Sequence, residues 1–339
     1  MSKILVTGGT GYIGSHTAVE LLAEGFEVVI VDDLSNSERS VLEGIRKISG
    51  KMPEFEQFDL CDKKAIERVF NKHADLTGVI HFAAKKAVGE SVEKPLMYYR
   101  NNIDSLLNLL EVMQEKQVNN MVFSSSCTVY GQPDQLPVTE ATPFKPAESP
   151  YGYSKQVSEM ILKDACQADA SLKAIALRYF NPAGAHESAE IGELPRGLPN
   201  NLVPFITQTA AGIRKELQVF GNDYQTPDGS AVRDYIHVVD LAKAHVVALN
   251  RQLQGNQRRN YEFFNIGTGT GNSVLEVIRT FEEVNDLKLD YSIVDRRPGD
   301  VEQIYADTTL ANDELGWQAA LGLPEMLRSA WKWQQKLEK

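Results

Sequence analysis

The glycine run that follows the first apolar stretch constrains this chain more than any other feature. Ile4-Leu5-Val6 leads into Thr7-Gly8-Gly9-Thr10-Gly11-Tyr12-Ile13-Gly14-Ser15-His16, so the glycines recur as Gly8-x-x-Gly11-x-x-Gly14. A buried strand ending in such a run, just before a helical pattern, uses its glycines for three purposes. They allow a tight turn, close approach of backbone to a pyrophosphate, and close packing of helix on strand. The orphan N–H groups and dipole at the helix start then favour an anion. A glycine triplet alone also describes an ordinary turn; its place after a strand and before a helix makes it a dinucleotide signal. Gly8, Gly11, Tyr12, Ile13 and Gly14 are therefore predicted cofactor contacts.

The rest of the first half supports that context. Short apolar runs rich in β-branched residues recur at 4–6, 28–31, 79–82, 121–123 and 174–177. Each reads as a buried parallel strand. Helix-length segments lie between them at 12–24, 63–72, 97–116 and 154–167. This alternation predicts an α/β fold, a Rossmann-type doubly wound parallel sheet. From about residue 181 the pattern changes: 181–201 reads as loop, followed by helices near 202–212, 238–250, 274–285 and 323–336 and a strand near 217–220. The expected division is a cofactor-binding domain over 1–180, joined by part of 235–267, and a smaller mixed α/β C-terminal substrate domain over 181–339. The stretches 132–150 and 221–233 are too long for plain connectors and read as functional loops.

The end of the second strand bears on the kind of cofactor. Asp32 lies eighteen residues after Gly14. An acid there hydrogen-bonds the adenosine ribose hydroxyls and repels a 2′-phosphate. Asp33 adds a second negative charge and no arginine follows until Arg39, so NAD is favoured over NADP. Asp59, after the third strand, is a further candidate at the adenine end.

Composition removes several other classes. The 339 residues carry 46 acidic and 35 basic side chains, a formal net charge of −11. That balance argues against coating a nucleic-acid backbone or an anionic membrane. Cys61, Cys127 and Cys166 form no CxxC, and the six histidines (His16, His73, His81, His186, His237, His245) show no metal-ligand spacing, so neither a metal nor a disulfide framework is expected. The opening apolar run ends before a signal-peptide core forms, and no apolar stretch is long enough to span a bilayer. A cytoplasmic, reduced enzyme is the expectation.

Tyr151 and Lys155 follow Pro150 at a spacing of four, which places them on one helix face. With twelve tyrosines in the chain, such a pair arises about once by chance. Its position, one helix after the serine-ended strand, gives it weight. A phenol titrates near 10, and bringing it to near 7 costs about 4 kcal/mol. A lysine charge about 6 Å away, in an effective dielectric of about 20, supplies about 3 kcal/mol. The pair therefore makes a general base when an oxidised cofactor adds its own positive charge. The preceding strand ends in Ser124-Ser125-Ser126-Cys127-Thr128-Val129-Tyr130-Gly131. Hydroxyls at the carboxyl end of such a strand face the ligand crevice.

Together these residues resemble the extended short-chain dehydrogenase/reductase family, and within it the branch that epimerises UDP-glucose. The resemblance runs from residue 3 to about 333. It rests on 8–16, on His81-Phe82-Ala83-Ala84, and on 87–95, 123–131, 178–185, 198–204, 220–224 and 232–237. It implies interconversion of UDP-glucose and UDP-galactose with bound NAD that is not consumed, as in galactose metabolism. Tyr151 is then the base at the sugar 4-hydroxyl. Lys155 holds the nicotinamide ribose, and Ser126 and Thr128 hold or relay at the 4-oxygen. Asp32, Asn36, Asp59, Phe82, Ala83, Lys86, Asn101, Ser124 and Phe180 line the cofactor. Asn181, Asn200, Asn201, Leu202, Phe220, Arg233, Tyr235, Arg297 and Asp300 hold UDP and sugar. The family is usually a homodimer, with helices such as 97–116 in the interface.

Some departures are informative. Cys127 replaces a usual alanine and reads as packing. Ile304 stands where relatives carry a large tyrosine or a small cysteine in the sugar pocket, which leaves acceptance of an N-acetyl group open. The segment 252–260 looks longer than in relatives and is assigned no function. His237 reads as a core or helix-start histidine. The main rival is a nucleotide-sugar 4,6-dehydratase or decarboxylase. A dehydratase needs an added acid and base after the serines, yet no carboxylate follows before Asp134. A non-catalytic NAD-binding regulator is disfavoured by the intact Tyr151, Lys155 and Ser126.

Overall fold

The structure, a computed structural model, describes residues 2–296 and 301–338. In chain order the strands are β1 (Lys3–Thr7), β2 (Glu27–Asp32), β3 (Glu54–Gln57), β4 (Leu76–His81), β5 (Asn120–Ser124), β6 (Lys173–Tyr179) and β7 (Asn181–Ala183). They continue with β8 (Leu217–Phe220), β9 (Val232–His237), β10 (Tyr261–Ile266), β11 (Gly271–Ser273), β12 (Tyr291–Val294) and β13 (Gln303–Ile304). Seven form one sheet in the order β10-β6-β5-β4-β1-β2-β3, and every pair in it is parallel. The chain winds outward from β1 through β2 to β3, then returns to β4 on the other side of β1. That reversal opens a crevice at the carboxyl ends of β1 and β4.

The side-chain alternation of the strands builds the two core layers. Ile4, Val6, Val28, Ile30, Ile175 and Leu177 pack on one face against Ala18, Leu21 and Leu22 of the helix Tyr12–Ala23 and against Leu241 and Leu249 of Val238–Leu253. Leu5, Val29, Val31, Met121, Phe123 and Ala176 pack on the other, against Leu106, Leu109 and Met113 of Ser105–Glu115 and Leu162 of Pro150–Ala168. With both faces covered, the strands read as unbroken apolar runs, which is why the sequence exposes them. A separate core joins Val203, Ile206, Val219, Tyr235, Phe281 and Leu327 in the second half.

Some segments differ from the sequence reading. Residues 181–201 are not loop throughout: Asn181–Ala183 pairs in parallel with β9, Asn181 opposite Tyr235. Three residues containing a proline leave no periodic signal. The long helix expected over 97–116 is broken into Pro95–Tyr99, a wide π turn at Arg100–Asp104, and Ser105–Glu115. The loop expected over 221–233 ends where β9 begins at Val232. β10 escaped the list of apolar runs because Glu262 and Asn265 interrupt it. Both are satisfied inside the fold, Glu262 by Arg251 at 2.8 Å and Asn265 by the Tyr130 hydroxyl at 2.6 Å.

Candidate active site

The glycine turn closes the crevice between β1 and β4. Gly8 has a φ of +67°, and a Cβ there would lie 2.8 Å from the Ala83 nitrogen. A Cβ on Gly14 would overlap the Gly8 carbonyl oxygen. Gly11 is the N-cap of Tyr12–Ala23, with no side-chain cap, and the first turn carries no acid. The orphan N–H groups of that turn are therefore left without a capping side chain or an acid in the turn itself, which suits a phosphate. Asp32 closes β2 beside the turn, its Oδ2 accepting from Thr10 N at 3.2 Å and its Oδ1 from Leu34 N and Ser37 Oγ. Asn36 is exposed in the loop after β2, and Asp59 is exposed after β3. β2 and β3 are neighbours, so both lie at one end of the sheet. The turn, its uncapped helix and the acid beyond it fit a dinucleotide.

The hydroxyl and base residues meet over the next strands. Ser149 caps the helix Pro150–Ala168, its Oγ accepting from Gly152 N at 3.1 Å, with Pro150 in the first turn. That start presents Tyr151 and Lys155 towards β5. Lys155 Nζ donates to the Ser124 carbonyl at 2.6 Å and sits 4.7 Å from the centre of the Phe123 ring. Burial pulls its ammonium down to about 8, with Glu159 acting in the opposite sense. Burial pushes the Tyr151 phenol well above its ordinary value, and a hydrogen bond with Ser126 pulls it back. This corrects the sequence-based balance, which counted the lysine's attraction and left out the desolvation of a buried phenol. Ser126 Oγ accepts from Thr128 N at 3.3 Å, and Ser124 Oγ pairs with Tyr179 at 2.6 Å. Thr128 Oγ1 is buried with no partner among the described residues, the state expected of a group that awaits a ligand hydroxyl.

The remaining candidates close around this centre. Phe82 follows β4, its ring 4.6 Å from that of His245. Asn101 lies in the π turn. Phe180 is buried with Cys127 and Ile304 in one apolar cluster. Asn181 and Tyr235 face each other across β7 and β9, and Arg233 on β9 is opposite Ile304 on β13. Asn201 caps the helix Leu202–Ala210 by its backbone, with Leu202 next to it, while Asn200 is exposed. Phe220 ends β8 in a separate two-stranded sheet. Arg297 and Asp300 lie outside the described residues.

Glu193 and Asn102 have a part in this geometry and carried no sequence signal. Glu193 lies 3.5 Å from Lys86 and accepts from the Asn201 side chain at 2.6 Å, so one carboxylate joins a predicted cofactor residue to a predicted substrate residue. Asn102 bridges the Lys85 backbone and Ser154. His237 is a helix cap, its Nδ1 accepting from Val239 N at 3.1 Å. Burial holds the Cys127 thiol up at about 12, as a packing residue requires. Among the described residues, no group of three or more His, Cys, Asp or Glu side chains is placed to hold a metal ion, and no helix is long and apolar enough to cross a membrane.

Residues 5–330 match the family described as GDP-mannose 4,6 dehydratase. Full-length relatives are narrower in kind. Human UDP-glucose 4-epimerase is 51% identical over 340 residues, covering 98% of this chain and 97% of that protein. Among solved structures, UDP-glucose 4-epimerase from Bifidobacterium longum in complex with NAD+ and UDP is 48% identical, with a TM-score of 0.94 over 99% of this chain and 98% of that one. The Stenotrophomonas maltophila enzyme with bound NAD and formylated UDP-arabinopyranose is 49% identical, with a TM-score of 0.96 over 100% and 99% of the two chains. The chain therefore belongs to the broad family of the first match and, within it, to the UDP-glucose 4-epimerases.

Proposed function

We propose that this chain is an isomerase that interconverts UDP-glucose and UDP-galactose by transient oxidation at sugar C4, using NAD that stays bound. The observation that carries the reading is the hydrogen bond between Tyr151 and Ser126 close to the buried Thr128 hydroxyl, which has no partner among the described residues. NAD, when bound, accepts and returns the hydride. Tyr151 takes the proton of the sugar 4-hydroxyl and gives it back. Ser126 and Thr128 hold the 4-oxygen through both transfers. Lys155, fixed on the Ser124 carbonyl, holds the nicotinamide ribose and adds positive charge beside the phenol. With the phenol raised by burial, proton removal needs the further positive charge of the oxidised cofactor.

The 4-keto sugar turns about its link to the diphosphate and presents its other face. Asn181, Asn200, Asn201, Leu202, Phe220, Arg233, Tyr235, Arg297 and Asp300 are assigned to UDP and sugar, and the arginines match a diphosphate's charge. On this reading residues 1–180, joined by part of 235–267, form the cofactor domain, and 181–339 the UDP-sugar domain. A homodimer is proposed, supported by the exposed Val88, Val92, Leu96, Leu107, Tyr153 and Met160 on neighbouring helices. The working compartment is proposed to be the cytoplasm.

A dehydratase is disfavoured by the residues after β5. Cys127 and Thr128 stand where an added acid and base are needed, and Asp134 is exposed and paired with Lys145 at 2.7 Å. The test is incubation with UDP-galactose and no added reductant. Formation of UDP-glucose without net NADH is expected; a need for stoichiometric NAD, or loss of water from the sugar, overturns the reading.

A further inference from the structure

Ser125 lies between the two serines assigned to the site, yet its side chain turns the other way. It is fully buried, and its Oγ donates to Glu159 Oε1 at 2.5 Å. Glu159 sits one helical turn beyond Lys155, on the helix that carries Tyr151. The same carboxylate receives Arg178 Nη2 at 2.6 Å and Nε at 2.9 Å, and the Tyr261 hydroxyl at 2.8 Å. Arg178 is itself held by the Tyr130 hydroxyl at 3.0 Å and lies 4.1 Å from the centre of the Phe263 ring. Glu159 and Arg178 are both about 3% exposed. A buried pair so fully hydrogen-bonded has one geometry, because any shift leaves a charge unsatisfied.

The consequence is directional. Arg178 stands on β6 and Tyr261 on β10, so the sheet holds Glu159 from two strands. Glu159 in turn holds the Ser125 hydroxyl. The residues on either side of Ser125 supply the Ser124 backbone carbonyl that receives Lys155 and the Ser126 side-chain hydroxyl that bonds Tyr151. The Ser125 nitrogen is fixed as well, by the Leu177 carbonyl at 2.9 Å. The Ser124 carbonyl and the Ser126 hydroxyl, which meet the lysine and the tyrosine, thus flank a residue tied to one carboxylate on the helix of both.

We propose that Ser125 and Glu159 are positioning residues for the epimerase reaction, locking the β5 turn to the helix that bears Tyr151 and Lys155. This rests on the proposed function. Tyr261→Phe provides the matched control: it removes one donor from the same carboxylate, which Arg178 still holds through Nε and Nη2 and which still receives Ser125. Ser125→Ala, Tyr261→Phe and the unaltered protein are compared for kcat, KM for UDP-galactose and thermal midpoint.

Misplacement of reacting groups lowers turnover, so Ser125→Ala is expected to lose about 10- to 100-fold in kcat with KM little changed. Tyr261→Phe is expected to show a similar fall in thermal midpoint with kcat within about 2-fold. Equal loss of kcat in both variants, or an unchanged kcat in Ser125→Ala, overturns the proposal. Failure of the unaltered protein to epimerise overturns the functional reading instead, so the two outcomes are distinct.

Discussion

Lys155 donates to the Ser124 carbonyl at 2.6 Å, so the lysine one helical turn beyond Tyr151 is anchored to backbone rather than to a flexible partner. The anchor fixes its place, and burial weakens its hold on a proton. Lys155 titrates near 8 in the folded chain against an ordinary 10.5. Between those values the unfolded chain carries a proton that the folded chain lacks, so this group makes stability rise with pH across that window. Lys155→Met should remove that rise and stabilise the cofactor-free protein near pH 7 by up to about 3 kcal/mol, while turnover collapses. Melting curves at pH 7 and pH 10 for both proteins check it; parallel curves would remove the burial argument.

Tyr151→Phe should lower kcat by orders of magnitude and leave the glycine turn intact. Bound NAD, measured after denaturing the purified variant, should match the unaltered protein. Near-normal turnover would mean that another group takes the proton.

Ile304 packs with Cys127 and Phe180 at 5% exposure. Ile304→Ala should widen the sugar pocket and raise kcat/KM for UDP-N-acetylglucosamine relative to UDP-glucose by about 10-fold or more. The emptied volume should cost about 2–4 kcal/mol of stability. An unchanged substrate ratio would show that Ile304 does not border the acetyl position.

Activity should survive dialysis against EDTA in full. Loss of turnover that a divalent ion restores would contradict the protein-and-cofactor chemistry assigned to Tyr151, Ser126 and Lys155.

What could be read from sequence is what local spacing encodes. The glycines of the turn, Asp32 eighteen residues after Gly14, and Tyr151 with Lys155 one helix after the serine-ended strand are all marked by spacing and order along the chain. Glu193, Asn102 and the Glu159–Arg178 pair carry no such mark. Lys86 and Asn201 flank Glu193 only after the chain folds, and Arg178 reaches Glu159 on its helix from the strand β6. The phenol of Tyr151 shows a different limit. Its spacing from Lys155 follows from the sequence, but the desolvation that raises it depends on everything packed around it.

The hydroxyl of Tyr12, in the first turn after the glycines, donates to the Gly184 carbonyl at 2.6 Å. Arg196 bonds the carbonyls of Ser35 and Ser37, and Glu193 pairs with Lys86. These contacts lace later segments of the chain over the edges of the dinucleotide crevice. An enzyme that discharges its coenzyme must unlace such edges once per turnover. One that ends each cycle with the coenzyme as it began can stay fastened, and treat NAD as a fixture rather than as a visitor.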